Sequence, residues 1–194
     1  LWGTNPVGYH LQSLLWHVVA ATALYSVFLR LRIAPVIAAI AVLVFAVHPQ
    51  RVESVVWISE RKDVMCAAFY LLAFDRYLAG REAGKAMHVL PYVLWIAALL
   101  SKAMAITLPA VLVLYELHRG SRPTEIVRRC WPYWLLVPIM APLTIAAQST
   151  AIATVFSWSR RLTVVPHNLM WYFETFLAPT SLSPLYPRVE LSSV

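Results

Sequence analysis

Residues 48–63 read His48-Pro49-Gln50-Arg51-Val52-Glu53-Ser54-Val55-Val56-Trp57-Ile58-Ser59-Glu60-Arg61-Lys62-Asp63, with His48, Arg51, Glu53, Glu60, Arg61, Lys62 and Asp63 set between two long apolar runs. The rest of the chain is poor in charge, so this density asks for a chemical reason. Arg61 and Lys62 suit the oxygens of a phosphate, the guanidinium as a planar fork and the ammonium as a point charge. Glu53, Glu60 and Asp63 could hold a hard divalent metal ion, orient an acceptor or fix an arginine in place. His48, Glu53 and Asp63 are therefore the candidate catalytic groups, with Glu60 as a further candidate. The plainer alternative is an amphipathic helix at a membrane interface, because Val52, Val55, Val56 and Ser59 recur at helical spacing, with Val55 and Trp57 turned inward.

Two more polar positions lie inside apolar runs. Lys102 interrupts a block over 86–118, where an ionisable group is costly unless it reaches an interface, a partner or a ligand, and it joins Arg61 and Lys62 as a candidate for a donor phosphate. His10 and His17 stand seven residues apart on roughly one helical face. Polar contact with a neighbouring helix is the simplest role for such histidines, and His10, nearer the end of its run, is the better functional candidate.

The elements that must position these groups are membrane spans. The chain of 194 residues is 60% hydrophobic and 13% charged, with a mean hydropathy of +0.67, which excludes an ordinary soluble domain and predicts an all-α, polytopic transmembrane bundle of about six or seven segments. The apolar runs are Tyr9–Leu29, Ile33–Val47, Val64–Leu78, the 86–118 block, Trp131–Val155 and Pro166–Ala178. One helix over 86–118 would be about 50 Å long, well beyond a hydrocarbon layer of about 30 Å, so a hairpin turning at Lys102 is expected. Pro132, Pro138 and Pro142 predict kinks, and Asp75, Arg76, Arg81, Glu82 and Lys85 with Gly80 and Gly84 read as a polar connection. The segment from Pro166 can be a span, a re-entrant piece or an interfacial helix.

With the Arg-rich turns inside, nine basic residues (30, 32, 76, 81, 85, 119, 122, 128 and 129) lie there and seven outside. Residues 48–63 then form an outer loop and 179–194 an outer C-terminal loop. Trp57, Trp158, Trp171, Tyr172 and Tyr186 fit an outer interfacial belt. The net charge of +7 is spread between hydrophobic runs instead of forming a stripe, which favours membrane lipid over nucleic acid as a partner. Cys66 and Cys130 fall on different segments, so a disulfide is not expected. Nucleotide-binding, zinc-protease and hydrolase-elbow motifs are absent. The stretch begins and ends in loop chemistry, so residues 1–194 are expected to be part of one transmembrane domain in a longer polypeptide.

Four segments, NPVGYHLQSLLWH (5–17), HPQRVESVVWISERKDV (48–64), LLSKAMAITLP (99–109) and LSPLYPR (182–188), stand in an order and spacing that resemble the multi-span part of bacterial tetratricopeptide-repeat membrane glycosyltransferases, relatives of the TMTC O-mannosyltransferases. The resemblance implies a GT-C-like architecture and a multi-pass location in a bacterial inner membrane. It also implies transfer of a sugar from a polyprenyl-phosphate donor to a protein acceptor's hydroxyl on the outer or luminal face. It places the principal catalytic acid in a first outer loop upstream of Leu1, and the repeats downstream. Ser13 stands where the family pattern has Asn, and Glu116 where it has Asp. A transporter or translocase of lipid-linked sugars is the alternative, for which Lys102 would sit at the bilayer midplane. A non-catalytic membrane scaffold is a third.

Overall fold

The computed structural model describes residues 3, 5–84, 89–153 and 158–179, and among these all regular structure is helical. Helix α1 (Pro6–Arg30) starts where Asn5 accepts a hydrogen bond from the Val7 amide and Pro6 supplies a pre-set φ. Its buried residues Ser13, His17, Ala20, Ala23 and Val27 recur every three or four positions, so one stripe faces the bundle. After a turn in which Arg32 takes φ 64, α2 (Pro35–Val47) runs back. Two 3₁₀ turns, Pro49–Arg51 and Ile58–Glu60, flank the five-residue α3 (Val52–Val56) and deliver the chain to α4 (Arg61–Glu82).

Helix α5 (Val89–Ser101) stops at Lys102, whose backbone is extended (φ −157, ψ 132), and a 3₁₀ turn over Ala103–Thr107 leads into α6 (Leu108–His118). Then follow α7 (Pro123–Trp134), α8 (Val137–Ala153) and α9 (Trp158–Leu177).

Side-chain pairings fix the directions. Gln12 meets Arg61 and Trp16 meets Phe69 at one end, while Arg30 meets Asp75 and Glu82 at the other, so α1 and α4 run parallel. The start of α4 lies beside the end of α5 through Asp63 and Lys102, and its end lies beside the end of α6 through Tyr77, Arg81 and Glu116. The chain therefore reverses at Lys102, as the length argument predicts. The core gathers where α4 to α7 meet. Fully buried Trp95 donates its indole N–H to the Ala105 carbonyl at 2.8 Å and packs against Tyr92 and Tyr133. Alanines 68, 73 and 98, all fully buried, let the helices approach closely.

Several boundaries differ from the expectation. Residues 75–82, expected as a polar connection, continue α4, and Asp75 is 1% exposed because Arg30, Arg76 and Ser26 all bond to it. Pairing is what lets a carboxylate be buried in mid-helix, where an unpaired charge would be costly. The segment expected from Trp131 starts at Pro123, with Pro in the first turn. It bends by 40° between α7 and α8, just ahead of Pro138. The segment expected from Pro166 begins at Trp158, so Arg160 and Arg161 belong to the helix. Among the described residues, α1 is the one helix long and apolar enough by itself to cross a membrane, and there are up to three such spans if each bent pair (Pro35–Val47 with Pro49–Val56, Pro123–Trp134 with Val137–Ala147) counts as one. Lys85, Ser157, Tyr186 and the 180–194 part of the expected C-terminal loop lie outside the described residues, as does the Trp158 side chain.

Candidate functional site

His48 ends α2 in an extended conformation (ψ 129), and its ring becomes the cap of the following 3₁₀ turn. Nδ1 accepts a hydrogen bond from the Gln50 amide at 3.2 Å, which makes Nε2 the protonated nitrogen that donates to the Phe176 carbonyl at 3.1 Å. The same ring stacks on Phe176, with centroids 4.9 Å apart and planes at 20°. Both imidazole nitrogens are thus occupied.

Beneath this junction a groove of about 1140 Å³ opens between α1, α2 and α9. Leu24, Phe28, Val44, Trp171 and Phe176 supply apolar wall, while His48, Arg51, Glu53 and Trp57 line its 48–57 end. The Arg51 guanidinium lies 4.7 Å from the Phe45 ring centroid, a cation–π placement. Desolvation there lowers its pKa from the ordinary value, opposed by the Asp63 carboxylate, and an arginine so placed stays charged at neutral pH. Among the described residues no carboxylate lies within salt-bridge reach of Arg51.

The remaining charges gather at the first turn of α4. Arg61 donates to Gln12 Oε1 at 2.7 Å and sits 5.6 Å from the Tyr9 ring centroid. Lys62 pairs with Glu60 at 3.3 Å, and Lys102 reaches across from the end of α5 to Asp63 at 2.6 Å. His10 is half-buried on α1 beside Tyr9. Lys102 thus shares one end of the bundle with Arg61 and Lys62, whereas His48, Arg51 and Glu53 form a neighbouring subsite that opens into the groove. Trp57, Trp171 and Tyr172, expected in an interfacial belt, line that groove. His17 serves the neighbouring helix, with Nε2 3.1 Å from the Ala46 carbonyl and its ring stacked on Phe45.

Glu60 and Asp63 are each directed at a lysine, and among the described residues no three His, Cys, Asp or Glu side chains converge as a metal ion would need. Cys66 and Cys130 are both free and buried.

The opposite end carries two buried carboxylates that the sequence reading left out of any site. Asp75 binds Arg30, Arg76 and Ser26; Glu116, fully buried, binds Tyr77, Arg81 and Ser121. An acidic residue within an apolar run, as in Val-Leu-Tyr-Glu116-Leu, is the signal that marks such a partner in sequence.

Comparison with known proteins adds a second line. A 183-residue match covering 83% of this chain is 32% identical to the protein O-mannosyl-transferase Tmtc2 of Drosophila melanogaster. The protein O-mannosyl-transferase Tmtc1 of the same organism is 36% identical over 108 residues, 54% of this chain, and human protein O-mannosyl-transferase TMTC4 is 36% identical over 97 residues, 43% of it. The chain is similar to TMTC O-mannosyl-transferases. It spans only 19%, 12% and 13% of those three proteins. No family model and no solved structure matches it.

Proposed function

We propose that this chain forms the membrane part of a glycosyltransferase that moves a sugar from a polyprenyl-phosphate donor to a protein hydroxyl on the outer or luminal face. The observation that carries the reading is that Arg51 lines one end of an apolar groove while Arg61, Lys62 and Lys102 gather at the neighbouring first turn of α4, at the same end of the bundle. A lipid-linked phosphate needs both features: hydrocarbon walls for the chain and fixed cations for the head. The similarity to protein O-mannosyl-transferases supports the transfer chemistry and the protein acceptor. Counting α1, α2, α4, α5, α6 and the bent α7–α8 pair gives six spans of the GT-C-like bundle of this reading, set in a bacterial inner membrane, with α9 a further segment that ends beside the outer 48–50 corner.

In the reaction the acceptor oxygen attacks the anomeric carbon, the bond from that carbon to the phosphate oxygen breaks, and the hydroxyl proton passes to a carboxylate base. Negative charge grows on the departing phosphate, where preorganised cations lower the barrier most. Arg61, Lys62 and Lys102 serve the leaving phosphate, Glu53 orients groups at the groove mouth, and Asp63 holds Lys102 in place. The principal base of the reading lies upstream of Leu1.

Lys102 stands level with the first turn of α4 and not midway along it, which favours a transferase over a translocase with a midplane lysine. The test is sugar transfer by the full-length protein in nanodiscs, with a panel of polyprenyl-phosphate sugars and peptide acceptors. Arg61→Ala and Lys102→Ala are each expected to lower turnover by about a hundredfold, the usual cost of removing one transition-state donor. Turnover unchanged in both variants would sink the reading. Movement of lipid-linked sugar across the bilayer without transfer from any donor would replace it with the translocase.

A further inference from the structure

Acid–base work by His48 requires a ring nitrogen free to exchange a proton with substrate. The geometry leaves none, because Nδ1 is engaged by the Gln50 amide and Nε2 by the Phe176 carbonyl. What the ring does hold is α9. Phe176 stacks on it, and one turn earlier the Tyr172 carbonyl accepts from the Gln50 amide side chain at 3.5 Å. Tyr172 and Phe176 occur four residues apart on one face of α9, the face that also carries Thr175 and Trp171 into the groove. Two successive turns of α9 are therefore pinned to the 48–50 corner, which lines one end of the groove.

We infer that His48 is a positioning residue: it latches α9 against the 48–50 corner, so that α9 forms a wall of the groove which can be released and re-seated without unfolding the bundle. The latch is separable from the turn it caps. Asn at position 48 can still accept from the Gln50 amide, as good capping residues do, but it has no ring to stack and a shorter reach to Phe176. Phe176→Ala removes the same contact from the other partner and leaves the cap untouched. Release of α9 opens a lateral entrance from the lipid phase, which a lipid-linked donor requires before its head can meet the cations above.

The experiment uses the full-length protein in nanodiscs. Spin labels are attached at Leu43→Cys on α2 and Leu177→Cys on α9, both at exposed positions, and their separation is read by pulsed electron resonance. A single narrow distance distribution is expected with His48 intact. In His48→Asn and in Phe176→Ala it should broaden towards longer distances, and the double variant should add little to either single one, because both remove one contact. Sugar transfer gives a second arm, which rests on the transferase reading: KM for the lipid donor should rise about tenfold with kcat nearly unchanged, the signature of lost binding without lost chemistry. Distances unaltered in both variants would overturn the inference. So would a collapse of kcat in His48→Asn that Phe176→Ala does not share, since that would return His48 to the chemistry. Broadened distances in a protein that transfers no sugar would uphold the latch while removing the transferase.

Discussion

Lys102 is the residue on which several lines meet. It ends α5, turns the chain back and carries its ammonium to Asp63 at 2.6 Å, in a pair only partly shielded from water, with side chains 34% and 24% exposed. An ion pair in that setting contributes about 1 kcal/mol at most, so its worth lies in where it holds the turn. A double-mutant cycle with Asp63→Asn and Lys102→Met, followed by thermal unfolding in detergent, should return a coupling of about 1 kcal/mol. The swapped pair, Asp63→Lys with Lys102→Asp, should recover that stability without recovering transfer, because on the proposed reading a donor phosphate would meet a carboxylate where it needs a cation. Recovery of both would assign the pair to architecture alone.

Residue types and spacing were enough to find this end of the molecule. Charge density singled out 48–63, and helix length against bilayer thickness located the reversal at Lys102. The partners were a different matter. That Asp63 faces Lys102 and that Arg61 turns to Gln12 follow from helix orientation across long separations in sequence, which periodicity does not encode. Asp75 illustrates the cost: beside Arg76 it looks like the start of a loop, and Arg30 and Ser26, brought alongside by the parallel run of α1, explain a carboxylate buried in mid-helix.

Among the elements, α4 is the one to which the others are fastened. Its face towards α1 carries Asp75, and its face towards α6 carries Tyr77 and Arg81, which close on Glu116. Glu116 is fully buried and the Arg81 side chain is 14% exposed, so removing the carboxylate strands a guanidinium in a dry setting. Glu116→Leu should therefore cost about 3–5 kcal/mol of stability, whereas Glu116→Leu combined with Arg81→Met should regain most of it. Thermal unfolding of the reconstituted protein measures both. A single variant that loses less than about 1 kcal/mol would show that the pair is dispensable. The element boundaries were the least legible part of the fold. Pro123 starts α7 eight residues ahead of the apolar run because an amphipathic segment carrying Arg128 and Arg129 opposite buried Ile126 and Cys130 can lie along an interface before the chain enters hydrocarbon.

At the scale of the whole molecule the two ends differ in the sign of their task. The reading places residues 48–63 on the outer face and the Arg30, Arg81 and Arg119 end inside. Ser59→Cys and Thr124→Cys, both at exposed positions, test it through a membrane-impermeant maleimide on sealed right-side-out vesicles. Ser59→Cys should react at once, and Thr124→Cys only after permeabilisation. The opposite pattern would invert the bundle and move the proposed chemistry to the other compartment.

The buried carboxylates bind α1, α4 and α6 firmly at one end, while at the other α9 is joined to the 48–50 corner by one ring stack and two bonds of 3.1 and 3.5 Å. The strength of the fastening is therefore graded across the bundle: charge pairs to carboxylates sealed from water hold α1, α4 and α6, and α9 is held at the 48–50 corner by contacts that a change of one ring removes.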